Sequence, residues 1–161
     1  MKVIHADMAP HAEQLDAASK ALLPVMRHFL NAYLHPETLG WRTGFATATG
    51  TWGEARGLAI ANAVQTFLSA VLLNRPVPLR YNDPLDVDAR KHLTTDEVEL
   101  LALIAAMRAD KTDHARTIIA RLTGGSVKAA IVRTGLSLAT ILDPTAARPA
   151  RTKRPVLRAV T

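Results

Sequence analysis

The stretch "GLAIANAVQTFLSAVLL", residues 57–73, constrains the fold more than any other part of the chain. It has no charged residue and approaches the shortest length of a membrane span. Four polar residues interrupt it: Asn62, Gln65, Thr66 and Ser69. Because polar side chains are costly in lipid, we predict a buried core helix here and no transmembrane segment.

Composition supports helical packing around this segment. Hydrophobic residues make up 48% of the 161 residues, but aromatic residues make up only 4%. Apolar residues recur at helical spacing in 11–34, although Pro24 should kink that helix or begin a second one. We therefore predict an all-α fold, a small bundle of five or six helices.

A second group of helices is predicted in residues 93–142. In "LTTDEVELLALI", Thr94 and Glu97 have the spacing of a capping box at the start of a helix. A further helix is predicted over 112–122, and "TGGS" then breaks the pattern. The last helix, 126–142, is apolar on nearly all sides, which is typical of a buried or oligomerising helix.

Residues 38–53, "TLGWRTGFATATGTWG", follow a different pattern. Aromatic and threonine residues alternate from Trp41 through Phe45 to Thr51, which indicates a short irregular or β-like segment near 41–53. An ordered loop packed on the core is the alternative. We predict that Trp41, Phe45 and Trp52 form a partner-binding loop.

The positive charge is concentrated at the C-terminus. The formal net charge is +6, yet 15 basic and 14 acidic residues nearly balance before residue 144. The basic residues of the tail are Arg148, Arg151, Lys153, Arg154 and Arg158. We predict one helical domain over 1–143, with possible lobes 1–78 and 92–143, and a basic, proline-containing tail over 144–161 that could bind nucleic acid or a partner.

Two fragments suggest another function. "LTTDEVELLALIAA" (93–106) and "SVKAAI" (126–131) resemble parts of the LuxR-type DNA-binding domain. The resemblance covers less than a third of the chain and implies a helix-turn-helix unit in 93–142. Its candidate nucleic-acid contacts are Arg116, Arg121, Lys128 and Arg133. The last helix departs from the pattern, because a recognition helix needs an exposed polar N-terminal face.

Several chemistries have no support in the sequence. The chain has no cysteine, which excludes disulfides, thiolate metal sites and cysteine nucleophiles. Its histidines lack the spacing of a zinc site, and Asp83, Asp86 and Asp88 lack the order of an EF-hand and are better suited to turns and caps. Nucleophile-elbow and dinucleotide-binding motifs are also absent. We expect no metal and no cofactor.

These observations favour a non-enzymatic interaction protein, such as an adaptor, assembly factor or regulatory subunit. It would act through apolar helix surfaces and the basic tail, on a protein partner or on a second copy in a homodimer. The N-terminus lacks a signal peptide's apolar region, so we expect a cytoplasmic protein. The alternatives are a DNA-binding transcriptional regulator and a small enzyme with a site near Trp41, Trp52 and the 83–88 loop.

Overall fold

A computed structural model of the chain describes residues 10–143. They form six α-helices and contain no β-strand, so the all-α prediction is confirmed for this part of the chain. The helices are α1 (Ala17–Leu34), α2 (Gly40–Trp52), α3 (Glu54–Asn74), α4 (Thr95–Arg108), α5 (Thr112–Leu122) and α6 (Ala129–Leu142). One short 3-10 turn precedes α1, at Ala12–Gln14, and two lie between helices, at Pro36–Thr38 and Ala89–Lys91.

The apolar helix α3 lies at the centre of the bundle. It contacts α1, α2 and α6, while α4 contacts α1, α5 and α6. Buried side chains from all six helices belong to one hydrophobic cluster, which includes Phe29, Phe67 and Leu100. Both candidate lobes therefore contribute to one core. The predicted division into a domain and a tail stays a prediction, because residues 144–161 lie outside the described residues.

Among the described helices, α3 is long and apolar enough to cross a membrane by length and composition. Half of its most apolar window is buried against the other helices. The core helix of a soluble protein meets the same two criteria as a membrane span. The absence of a transmembrane segment therefore stays a prediction.

Helix α1 begins at an N-cap and continues through a proline. The Asp16 carboxylate accepts a hydrogen bond from the Ser19 backbone N–H at 3.0 Å, which satisfies one free donor of the first turn. Because this bond favours the charged form, the pKa of Asp16 lies below its usual value. Pro24 lies within the helix, so no second helix begins there.

The prediction of an irregular or β-like segment near 41–53 is wrong, because these residues belong to helix α2. The buried positions are Gly40, Gly44 and Ala48, which recur every four residues on one helical face. The prediction was wrong because alternating aromatic and threonine residues are also the pattern of a β-strand. Threonines fit this helix because their hydroxyls donate to backbone carbonyls one turn back, as Thr51 does to Thr47 at 2.8 Å.

Small residues let α2 pack closely between α1 and α3. A methyl group at Gly40 would lie 2.6 Å from the backbone oxygen of His28 in α1. A methyl group at Gly57 of α3 would lie 2.5 Å from the backbone oxygen of Ala48. Backbone atoms at this distance cannot move aside cheaply, so these two crossings require glycine.

The helices of the C-terminal half begin and end close to their predicted positions. Thr94 and Glu97 form the predicted capping box at the start of α4. Helix α5 has the predicted bounds, and Gly124 and Gly125 follow it with positive φ angles. Helix α6 begins at Ala129, three residues later than predicted, and buries Ile131 and Leu138.

A buried ion pair fixes the long loop between α3 and α4. The Arg27 guanidinium in α1 donates to both Glu97 carboxylate oxygens, at 2.7 and 2.9 Å, and both side chains are at most 3% exposed. Arg27 also donates to the backbone oxygens of Arg90 and His92. Glu97 accepts further bonds from the backbone N–H groups of Asn82 and Thr94. Arg27 thus makes four hydrogen bonds, and both charges of the pair are met by partners within the chain, as burial requires.

Candidate partner-binding surface

Four large apolar side chains are exposed where α1 turns into α2. Tyr33 is 40% exposed, Leu34 54%, Leu39 45% and Trp41 48%. We call these four residues the α1–α2 corner. They lie within nine residues of one another along the chain, on either side of the Pro36–Thr38 turn. Single exposed apolar residues are common on proteins, but a group that includes a tryptophan is typical of an interaction surface.

The corner has a fixed geometry. The Tyr33 hydroxyl donates to the Ser69 hydroxyl oxygen of α3 at 3.1 Å, and this holds the phenol ring against the bundle. Gly40 fixes the start of α2 against the backbone of α1. Leu73, one helical turn beyond Ser69, is 84% exposed and extends the apolar surface along α3. Tyr33, Leu34 and Trp41 therefore lie on packed helices and Leu39 lies on the short turn between them, which lowers the entropy cost of binding.

Leu39 has an unusual backbone conformation. Its φ is +51° and its ψ is +34°, the left-handed region that favours glycine or asparagine. A leucine there strains the backbone, and its half-exposed side chain recovers only part of the free energy that full burial would give. Neither backbone geometry nor core packing therefore accounts for a leucine at this position. Contact with a partner would account for it.

Charged and polar side chains flank the corner. His35 and Glu37 lie on the turn itself, with His35 Nδ1 and Glu37 Oε1 3.5 Å apart and both side chains mostly exposed. Arg42 follows Trp41 and is exposed. An apolar centre beside an exposed polar rim is the common arrangement in protein–protein interfaces.

The three aromatic residues predicted to bind a partner have different environments. Trp41 is exposed, as a contact residue must be. Phe45 packs edge-to-face on Phe29 of the core, with ring centroids 5.4 Å apart, and Trp52 also packs against the core. All three belong to helix α2 rather than to a loop. Only Trp41 is therefore placed to contact a partner without rearrangement.

The other corner residues were missed in the sequence. Tyr33 and Leu34 end the segment predicted to be an amphipathic helix, and no local pattern marks Leu39. The only signal in the sequence is that apolar residues, Leu34 and Leu39, lie on both sides of His35-Pro36, where the predicted helix ends. That signal is weak, because exposure at a helix end depends on which neighbours cover it.

The basic residues of the DNA-binding alternative are dispersed. Arg121 is paired with Glu99 of α4 at 2.7 Å. Arg116 borders a groove of about 260 Å³ between α5 and α6, whereas Arg133 lines another depression, beside α3. Lys128 is half-buried at the start of α6. Arg121 is therefore neutralised within the chain, and Arg116 and Arg133 border different depressions.

The predicted tail residues lie outside the described residues. This holds for Arg148, Arg151, Lys153, Arg154 and Arg158. Their binding to nucleic acid or to a partner stays a prediction.

The acidic loop considered for an enzyme or a cation makes turns. Asp83 accepts from the Leu85 backbone N–H, and Asp86 accepts from those of Asp88 and Ala89, all at 2.9 Å. Asp88 pairs with Lys91 at 2.8 Å, and that hydrogen bond lowers its pKa. Within residues 10–143, no group of three or more histidine and acidic side chains could hold a metal ion.

The four residues of the α1–α2 corner present apolar area and a tyrosine hydroxyl, and the exposed His35–Glu37 pair lies on the turn between them. Such a surface can bind a complementary apolar surface. Comparisons with protein-family models, with curated proteins and with solved structures gave no match to this chain.

Proposed function

We propose that this chain is a non-enzymatic interaction protein that binds a protein partner through the α1–α2 corner. The observation that carries the proposal is the exposed group of Tyr33, Leu34, Leu39 and Trp41 where α1 turns into α2. Tryptophan and tyrosine are enriched among the residues that dominate binding energy at interfaces. The partner is a second copy of the chain or a different protein, and the role is that of an adaptor, assembly factor or regulatory subunit.

Two further elements belong to this proposal. The basic tail would add electrostatic attraction to an acidic partner or to nucleic acid. The protein would act in the cytoplasm, which fits a chain without cysteine.

The DNA-binding alternative has less support. Helix α6 buries Ile131, Gly135 and Leu138 against α3 and α4. A recognition helix instead presents polar side chains at its N-terminal face to the major groove. The enzyme alternative has no constellation of catalytic side chains in its favour within the described residues.

The test of self-association is sedimentation equilibrium on the full chain, from micromolar to high-micromolar concentration. If the partner is a second copy, the wild-type chain dimerises, and Trp41→Ala weakens the dimer by at least about 2 kcal/mol. Arg116→Ala, on α5, is the matched control and leaves the dimer unchanged.

The test of a different partner is photo-crosslinking in the cells that make the protein. A photoreactive phenylalanine at position 41 should yield a discrete crosslinked protein. The same probe at exposed position 116 should not. If the chain stays monomeric and position 41 crosslinks no more than position 116, the proposed function is wrong.

A further inference from the structure

A second surface of the molecule is lined by basic side chains, unlike the apolar α1–α2 corner. An open cleft of about 560 Å³ lies between α1, the Ala12–Gln14 turn and the loop that precedes α4. We call it the α1 cleft. Its volume falls within the range of small-molecule sites. Its described lining residues include none of the four α1–α2 corner residues and none of Arg116, Arg121, Lys128 and Arg133.

Cations dominate the charge of the α1 cleft. Lys20, Arg27, Arg90 and Lys91 line it, and Glu13 is the one acidic residue among its described lining residues. Arg27 is already neutralised by Glu97, and Lys91 is paired with Asp88. Lys20 and Arg90 remain, and within the described residues neither side chain has an ion-pair or hydrogen-bond partner. Two unpaired cations against one acid leave the described lining with a net positive charge, which favours an anionic ligand.

The same cleft has an apolar wall. Leu23, Pro24 and Pro84 line it beside the cations. This apolar wall suits the organic part of a molecule whose anionic group meets the cations.

The buried ion pair holds this arrangement in place. The Arg27 guanidinium donates to the Arg90 backbone oxygen at 2.7 Å, which fixes the loop beside α1. His28, half-buried in the same wall, has a lowered pKa because burial disfavours its charged form. It therefore adds a neutral imidazole with one donor and one acceptor near neutral pH. A site whose side chains are fixed before binding loses less entropy on binding.

We propose that the α1 cleft binds a small phosphorylated molecule. The phosphate lies between Lys20 and Arg90, and the organic part lies against Leu23, Pro24 and Pro84. A phosphate group suits this pair of cations, because its oxygens can accept charge-assisted hydrogen bonds from an ammonium and a guanidinium group together. This proposal is independent of partner binding at the α1–α2 corner, which does not share these residues.

The test uses the full chain and three probes: inorganic phosphate, glucose 6-phosphate and adenosine 5′-monophosphate. Backbone amide signals are followed by nuclear magnetic resonance, and affinities are measured by calorimetry at constant salt. We expect saturable shifts of the amides in 20–28 and 84–91 with at least one organic phosphate. Inorganic phosphate should bind at least about tenfold more weakly than that organic phosphate, since it lacks the apolar contacts.

The decisive variant is Lys20→Gln with Arg90→Gln. It should weaken binding at least about tenfold, because two charge-assisted hydrogen bonds are lost. The matched control is Arg116→Gln with Arg133→Gln, which removes the same charge at other exposed positions and should leave the affinity within about twofold. Thermal melting shows that both variants fold.

Two results would overturn the proposal. One is that none of the three probes shifts the amides of the cleft. The other is that the Lys20→Gln, Arg90→Gln chain folds normally and binds as tightly as the wild type, which would place the phosphate elsewhere, for instance on the basic tail.

Discussion

The Arg27–Glu97 pair and the α1–α2 corner reverse the usual distribution of side chains. At the first, two charges are buried, and each meets several hydrogen-bond partners within the chain. At the second, four large apolar side chains are exposed to solvent. Hydrogen bonds from neighbouring residues offset the free-energy cost of burying the Arg27 and Glu97 charges. No described contact offsets the cost of exposing the apolar side chains of the corner. The comparison therefore indicates a binding surface at the corner and a structural role for the pair.

The largest expected effect tests whether Glu97 stabilises the buried positive charge of Arg27. Glu97→Gln keeps the shape of the side chain but leaves the Arg27 charge buried without its counter-ion. We expect a loss of about 3–5 kcal/mol in the free energy of unfolding, measured by urea denaturation. Glu99→Gln is the matched control, because its partner Arg121 is 53% exposed, and it should cost at most about 1 kcal/mol. Equal effects of the two variants would contradict the account of the pair.

The next effect tests the close crossing of α2, the helix that carries Trp41, with α3. Gly57→Ala places a methyl group against the backbone of Ala48 and Thr49 at 2.5 Å and should destabilise the fold by about 1–3 kcal/mol. Gly50→Ala, in the same helix pair, meets no atom within 4 Å and should stabilise it by about 0.5–1 kcal/mol. Thermal unfolding measures both. If Gly57→Ala is neutral, the crossing of α2 and α3 is looser than described.

A smaller effect separates strain from packing at the corner. Leu39→Gly removes the strain of a leucine at positive φ and should raise the free energy of unfolding by up to about 1 kcal/mol. The same variant should weaken partner binding. Its control is Leu100→Gly in the core, which should destabilise strongly. A clear loss of stability in Leu39→Gly would mean that the leucine is retained for packing rather than for a partner.

The smallest effect concerns pH. Burial lowers the pKa of His28 below 6.5, and the charge of Asp83 opposes this only in part. The unfolded chain therefore binds a proton more readily than the folded chain does. This contribution to stability is complete above pH 6.5 and is lost as the pH falls towards the folded pKa. Denaturation of the wild type and His28→Gln from pH 8 to 5 measures it, and the variant should lose less stability on acidification.

Much of the fold follows from local sequence patterns, but the candidate sites do not. The bounds of α5 and the capping box of α4 depend on residues within one or two helical turns, so they were predicted. Of the four residues in the α1–α2 corner, only Trp41 was predicted from the sequence as a partner contact. Its other members were missed because exposure is a property of the assembled surface. The α1 cleft was missed altogether, since Lys20 and Arg90 are far apart in the chain.

The sequence by itself determined the helical class, the central apolar helix and most helix ends, because hydrophobic periodicity, capping and glycine act over a few residues. Tertiary structure decided the rest. It made α2 a helix, since Gly40, Gly44 and Gly57 permit close contacts with neighbouring helices. It also joined Arg27 to Glu97 across 70 positions and left Trp41 uncovered. These features depend on which surfaces meet, and no local pattern encodes that.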